Sequence, residues 1–432
     1  MRVMRLLVVR IFAFLTCAAL AACSGAEAGS EIHQERAQPA AAFIDSIGVN
    51  VHLTYRTGPY GNVSGVESLI HRLGVQHLRE GVTLDQPDIC TVDRAIAANG
   101  PRFDYITQPG LSVQQLASWA ACVGPAIESF EGPNEYDISH PASDPDWVST
   151  IRRAQIALYA NVKGDRRLAR LRVIGPSLTS EKAFRTVGDL SASMDAGNMH
   201  NYLAGHEPGT GGWGLDGYGS IAWNVRVARF TDGTKPVWST ENGYSTGGGD
   251  PKAIPLDVHA AYVPALYLEQ FLAGVPRTYY YELIDEGGVP FGHYGLADGS
   301  LQPKPAFRAL AGLISLLRDA RGTTSTTMPS LRFALDGGDA GTRHLLLARN
   351  DGTLALIVWQ NESLYDPTLK RTIDPVQHDV QLRLPDGYAQ GTVYAPAADD
   401  SLRAGGATRS GATIPLSVGP RPLLVLVTPR AP

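Results

Sequence analysis

Between residues 43 and 320 the chain repeats one pattern, a short apolar run followed by a stretch with apolar residues three and four apart. The short runs read as strands and the longer stretches as amphipathic helices. The strands are Ile47 to Val51, Gln76 to Arg79, Phe103 to Ile106, Ala126 to Phe130, Arg172 to Gly175, Asn198 to Tyr202, Val237 to Thr240 and Thr278 to Leu283. Helical stretches between them include Val66 to Leu73, Val113 to Val123, Asp146 to Gly164, Trp223 to Phe230 and Asp257 to Ala273. Strands separated by helices run the same way and pair in parallel. Eight such units in this length predict an α/β fold, the closed (β/α)8 or TIM barrel. A doubly wound sheet would place a Gly-rich phosphate loop after its first strand. The Gly209-Thr210-Gly211-Gly212 run follows a later strand and lacks that spacing.

After Pro303-Lys304-Pro305 and a last helix, Ala306 to Arg318, the texture changes. Leu345 to Ala348 and Leu354 to Trp359 bracket Asn350-Asp351-Gly352, a hairpin signal. Val380 to Leu384 precedes Pro385-Asp386-Gly387, and Leu423 to Val427 is a final apolar strand. Short strands divided by turn residues predict an all-β sandwich over 323–432, after a barrel over 43–322. Trp359 is expected in the sandwich core, and the short connection predicts rigid packing on the barrel.

The first residues read as a targeting segment. Arg2, Arg5 and Arg10 flank Ile11 to Ala22, an apolar stretch too short to span a bilayer. Residues 1–22 are therefore expected to be a signal peptide. Leu20-Ala21-Ala22-Cys23 resembles a bacterial lipobox, which implies lipidation at Cys23; ordinary cleavage after Ala26-Glu27-Ala28 is the alternative. Residues 23–42 are small and polar and are expected to form a flexible tether. The product would be exported, either lipid-anchored on the periplasmic or cell-surface side or secreted, with the membrane met only through that lipid. Cys90 and Cys122 remain, and either a disulfide or two buried thiols fits an oxidising compartment. Neither has the close Cys or His spacing of a metal site. A net charge of −5 gives no basic footprint for a nucleic-acid partner.

Two segments each carry a glutamate to the end of a predicted strand. Ile127-Glu128-Ser129-Phe130-Glu131-Gly132-Pro133-Asn134-Glu135 puts Glu135 after the fourth, and Lys235-Pro236-Val237-Trp238-Ser239-Thr240-Glu241 puts Glu241 at the seventh. In a barrel both would reach the C-terminal mouth, where active sites lie. Two carboxylates on opposite sides of one bond are the equipment for cleaving a glycoside. One must hold a proton and the other must stay ionised. Arg79, at the end of the second strand, would keep Glu241 ionised, and His200 and Tyr202 on the sixth could hydrogen-bond that same carboxylate. Asn134 could bind a sugar hydroxyl. No metal or organic cofactor is required by this chemistry.

Asn134-Glu135 after an apolar strand, with Glu241 inside Lys-Pro-Val-Trp-Ser-Thr-Glu-Asn-Gly-Tyr, resembles clan A, the retaining glycoside hydrolases with a (β/α)8 barrel. The barrel-plus-sandwich layout is similar to family 39 and its relatives. The resemblance covers about residues 43 to 320 and implies Glu135 as acid/base, Glu241 as nucleophile, Asn134 as a 2-hydroxyl ligand and Arg79 as partner of the nucleophile. Gly295-Leu296-Ala297-Asp298-Gly299 before Lys304-Pro305-Ala306-Phe307 is similar to the clan's entry into its last helix. Three positions depart from the pattern. Pro133 precedes Asn134 where Trp is frequent, Tyr136 follows Glu135 where Pro is usual, and Tyr279-Tyr280-Tyr281-Glu282 replaces a strand-eight Trp.

Asn50 and His52 on the first strand, and Tyr281 and Glu282 on the eighth, are further candidate sugar contacts. Trp213, on a Gly-rich loop with His206 and Glu207, is a candidate stacking platform. Tyr55, Tyr60 and Asn62 could shape the cleft. The reading is a retaining hydrolase of O-glycosidic bonds in a polysaccharide or oligosaccharide. Its rivals are a transglycosylase using the same covalent intermediate, and a non-catalytic carbohydrate-binding lipoprotein.

Overall fold

The computed structural model describes residues 31–247, 249–288, 292–318 and 328–428. The expected signal segment, Cys23 and the first residues of the expected tether lie outside the described residues, as does the expected boundary near 322. No helix among the described residues is long and apolar enough to cross a membrane.

Eight parallel strands form the barrel: β1 (Ile47–Asn50), β2 (His77–Gly81), β3 (Arg102–Ile106), β4 (Ile127–Glu131), β5 (Arg172–Ile174), β6 (Gly197–His200), β7 (Val237–Asn242) and β8 (Thr278–Tyr280). They pair in the spatial order β5-β4-β3-β2-β1-β8-β7-β6. The parallel bridge between Ile174 and Ala196 joins the two ends and closes the barrel. Each strand lies within a few residues of its expected place, and each is followed by a helix on the outside. Local chemistry sets the helix ends. Ser112 and Gln115 form a reciprocal capping box at the start of Val113–Val123. Gly74 ends Val63–Leu73 at φ 82°, a conformation that glycine adopts without a Cβ penalty.

A disulfide joins Cys90 in the helix Ile89–Ala97 to Cys122 in Val113–Val123. Of the two expected states for these cysteines, the structure holds the bridge.

The C-terminal sandwich is built from β9 (Ser330–Asp336), β10 (Thr342–Ala348), β11 (Leu354–Gln360), β12 (His378–Pro396), β13 (Leu402–Val418) and β14 (Leu423–Thr428). The long strands β12 and β13 pair with each other through two register shifts, and β12 also pairs with β9 and β14. Leu354, Leu356 and Val358 face the sandwich core. Their neighbours Ala355, Ile357 and Trp359 pack into the barrel core, as the two-residue period of a strand requires. Trp359 is thus an interface residue rather than a sandwich-core one, and its indole donates to Glu269 on the barrel helix Leu256–Leu272.

The expected tether over 23–42 is structured in its described part. His33–Arg36 pairs antiparallel with β9, and Gln38–Pro39 pairs parallel with β10. The sequence is polar because these residues lie on an exposed edge, not because the chain is free.

Candidate active site

A cavity of about 720 Å³ opens at the C-terminal mouth of the barrel, lined by Arg79, Asn134, Glu135, Tyr202, Glu241 and Tyr281 among others. Its size is that of a small-ligand pocket. The cavity is built around one buried guanidinium. Arg79, 1% exposed, uses all five N–H donors: Nε and Nη2 reach Glu131 at 2.8 and 2.7 Å, Nη1 reaches Asn50 at 2.9 Å and Glu241 at 2.7 Å, and Nη2 also reaches Asn134 at 2.7 Å. Glu131, fully buried at the end of β4, is the residue that sequence reasoning missed. A carboxylate at the end of the buried run Phe130-Glu131, beside the expected site, was its signal, since a buried charge must be paired.

Glu241 lies on β7 and accepts from Arg79 at Oε1 and from the Tyr202 hydroxyl at Oε2, 2.9 Å away. Burial alone would raise its pKa. The charges of His200 and Arg79, with the two hydrogen bonds, outweigh burial and hold the carboxyl at about 2.

Glu135 lies four residues beyond β4, at the start of the short helix Tyr136–Ser139, with φ 43°. This left-handed backbone, costly for a residue with a Cβ, is held by the bond from its amide to Ser177 Oγ at 3.0 Å. Ser177 also donates to Asn134 Oδ1 at 3.0 Å. With Arg79 and Ser177 both on Oδ1, the Asn134 amide nitrogen is left to donate into the cleft.

His200 departs from its expected role. Its Nδ1 is 2.7 Å from Glu135 Oε1 and 3.5 Å from Glu241 Oε2, so the hydrogen bond goes to Glu135. A chain of hydrogen bonds through Asn198 and Thr240 orients the ring. Asn198 donates from Nδ2 to Glu131 at 2.9 Å and to the Gly175 carbonyl at 3.1 Å, both pure acceptors. Asn198 Oδ1 therefore accepts, and it takes the Thr240 hydroxyl at 2.7 Å. Thr240 Oγ1, with its hydrogen committed, accepts from His200 Nε2 at 3.1 Å. His200 Nδ1 and Glu135 then share one proton. Burial opposes charge on His200, but the Glu241 charge and the Glu135 bond raise its pKa. One oxygen of Glu135, one of Glu241 and a ring nitrogen of His200 all lie within 4.8 Å of one another.

The remaining candidates divide. His52 and Tyr281 line the cleft. Burial, the largest influence on the His52 ring, lowers its pKa to about 4, so it is neutral near pH 7. Tyr55 also lines the cleft and stacks on His52 with centroids 4.8 Å apart. Asn50 does not line it. This side chain is buried, donating to the carbonyls of Thr240 and Tyr280 and accepting from Arg79, so it positions the guanidinium. Glu282 is likewise fully buried beneath the surface, where the Tyr60 hydroxyl donates to it at 3.2 Å. Burial and the charge of Glu286 push its pKa up to about 10. Trp213 does not line the cavity either. Its ring stacks on His206 at 4.3 Å and covers Gly219, where a Cβ would collide with it. Asn62 caps the helix Val63–Leu73.

The sequence matches no protein-family profile and no curated protein. Solved structures do share the fold. A family 39 glycoside hydrolase from Bacteroides cellulosilyticus WH2 aligns over 90% of this chain and 81% of its own, with TM-score 0.61 and 15% identity. A monomeric beta-xylosidase from Caulobacter crescentus CB15 aligns over 92% and 98%, with TM-score 0.59 and 15% identity. A GH51 alpha-L-arabinofuranosidase from Thermotoga petrophila RKU-1 aligns over 91% and 98%, with TM-score 0.55 and 11% identity. The likeness is one of fold, and coverage this wide carries it through barrel and sandwich alike.

Proposed function

We propose that the chain is a retaining glycoside hydrolase that cleaves O-glycosidic bonds by double displacement, with Glu241 as nucleophile and Glu135 as acid/base. One observation carries the reading: a carboxylate oxygen of Glu135 and one of Glu241 lie within 4.8 Å of each other, with Arg79 bonded to Glu241 and His200 bonded to Glu135. Retention needs carboxyls about 5 to 5.5 Å apart, and inversion about 6.5 to 9.5 Å. Glu241 is held ionised by Arg79, His200 and Tyr202, as an attacking oxygen must be. Glu135 shares a proton with His200 and can pass it to the leaving oxygen.

Esterification of Glu241 removes the negative charge that draws positive charge toward His200. Glu135 can then take a proton from the attacking water, which completes the second displacement. Asn134 donates to the 2-hydroxyl, and His52 and Tyr281 contact the sugar that occupies the cavity. The expected signal segment and the Cys90–Cys122 bridge both fit an exported enzyme. The test is hydrolysis of a panel of aryl glycosides and oligosaccharides, with product anomers followed by NMR. Retained configuration is expected. Glu135→Gln should lose about 10²- to 10⁴-fold on poor leaving groups and much less on activated ones. Inverted products would refute the roles given to both glutamates.

A further inference from the structure

The N-terminal segment stitches the sandwich shut. His33–Arg36 lies on one outer edge of its sheet, against β9, and Gln38–Pro39 lies on the other, against β10. Consecutive pieces of one short segment thus span the seam between the two edges. Little backbone pairing holds them, four residues on one side and two on the other.

Three ligating side chains meet at this seam. His33 and Glu35 are two apart on one strand and so share a face. His344, on β10, reaches across to them. Its Nε2 is 2.7 Å from Glu35 Oε1, and His33 Nδ1 is 3.7 Å from the same oxygen. One ligand atom from each residue lies within 4.8 Å of the others.

We propose that His33, Glu35 and His344 form a zinc site that clips the N-terminal segment across the seam. Two imidazoles and one carboxylate are a ligand set that suits zinc. Zinc bonds of about 2.0 to 2.2 Å in a tetrahedron place ligand atoms about 3.3 Å apart, a spacing bracketed by the 2.7 and 3.7 Å contacts. Their side chains are 36%, 35% and 20% exposed, which leaves an approach for the metal and room for water as fourth ligand. The other two clusters of this kind, Glu135-His200-Glu241 and His52-Glu282-Glu286, belong to the cleft and its floor. There Arg79 already neutralises Glu241. No arginine or lysine pairs with Glu35 in the contacts of the described residues.

Binding requires neutral imidazoles, so the His344 proton now facing Glu35 leaves that nitrogen as the metal arrives. Because the site exists only when the seam is closed, metal binding adds directly to the stability of the closed form.

The test uses the full chain without an affinity tag, stripped with chelator and titrated with zinc chloride. Wild type should retain about one zinc ion per chain after desalting, melt at a higher temperature with zinc, and resist proteolysis ahead of residue 40 only when loaded. His33→Ala and His344→Ala should keep the fold by circular dichroism and lose all three effects. Glu241→Gln, which disables the triad in the cleft, should leave zinc uptake unchanged. Absence of uptake by wild type would overturn the proposal. So would uptake that survives both histidine variants, or that disappears in Glu241→Gln alone.

Discussion

Arg79 sets the chemistry at the scale of single residues, because its five donors fix four different side chains at once. Two of them, Asn134 and Glu241, face the cleft, and Glu131 supplies the buried counter-charge. The chain from Asn198 through Thr240 to His200 then decides where the shared proton lies. Thr240→Val removes the acceptor at Nε2 and should weaken the hold on that proton. The alkaline limb of the kcat/KM profile is expected to move to lower pH, with KM little changed. An unmoved limb would mean that Thr240 has no part in placing the proton. Glu135, Glu241, Arg79 and Tyr202 stood out in the sequence because each lies in, or a few residues beyond, the C-terminal end of an apolar run. The choice of His200 for Glu135 was not, because Glu135 departs from its strand by four residues and turns back in a left-handed conformation. Asn50 and Trp213 carry the residue types of sugar contacts, yet only packing reveals that one serves Arg79 and the other covers Gly219. Glu131 stood in plain view within the strand, without the partner that gives it meaning.

Periodicity made the elements legible. A strand or helix of adequate length announces itself through its apolar spacing, and the eight barrel strands fall close to their expected bounds. Polar edge strands carry no such signal, so residues 33–39 read as loose chain. The apolar run Leu354 to Trp359 in β11 has the opposite cause, since it is buried on both faces, by the sandwich on one side and the barrel core on the other. The helices Ile89–Ala97 and Val113–Val123 are tied by the Cys90–Cys122 bridge, which closes a loop with a sequence separation of 32. Chain-entropy reasoning gives such a loop about 3 to 4 kcal/mol. Reduction, or the Cys90→Ser/Cys122→Ser pair, should lower the urea midpoint accordingly with the fold retained. Identical midpoints would show that the bridge does not contribute to stability.

Across the whole molecule, buried carboxyls give stability a distinct dependence on pH. Burial, aided by neighbouring charge, pushes Glu282 up to about 10 and Glu80 up to about 8, and burial pushes Asp93 up to about 7. In the unfolded chain these groups ionise near their ordinary values of 4.5, 4.5 and 3.8. Above those values the unfolded state releases protons that the folded state keeps, so their contribution to stability falls as pH rises. Glu241, held at about 2, acts in the other direction, its contribution being lost as pH falls from 4.5 toward 2. His52, held at about 4, also destabilises the fold as pH falls below 6.5. Glu282→Gln mimics the protonated side chain. It should remove about 1 kcal/mol of stability loss per pH unit above 4.5, read from denaturant midpoints at several pH values. A slope equal to wild type would show that Glu282 ionises normally in the fold. Attack of Glu241 on the anomeric carbon is tested more directly by covalent trapping. An activated 2-deoxy-2-fluoro glycoside, of the sugar that the substrate panel selects, slows release of the glycosyl-enzyme, and peptide mapping locates the label. One added sugar per chain is expected, on Glu241, with none on Glu241→Gln. A label on Glu135, or a substrate turned over with no covalent adduct at all, would contradict attack by Glu241.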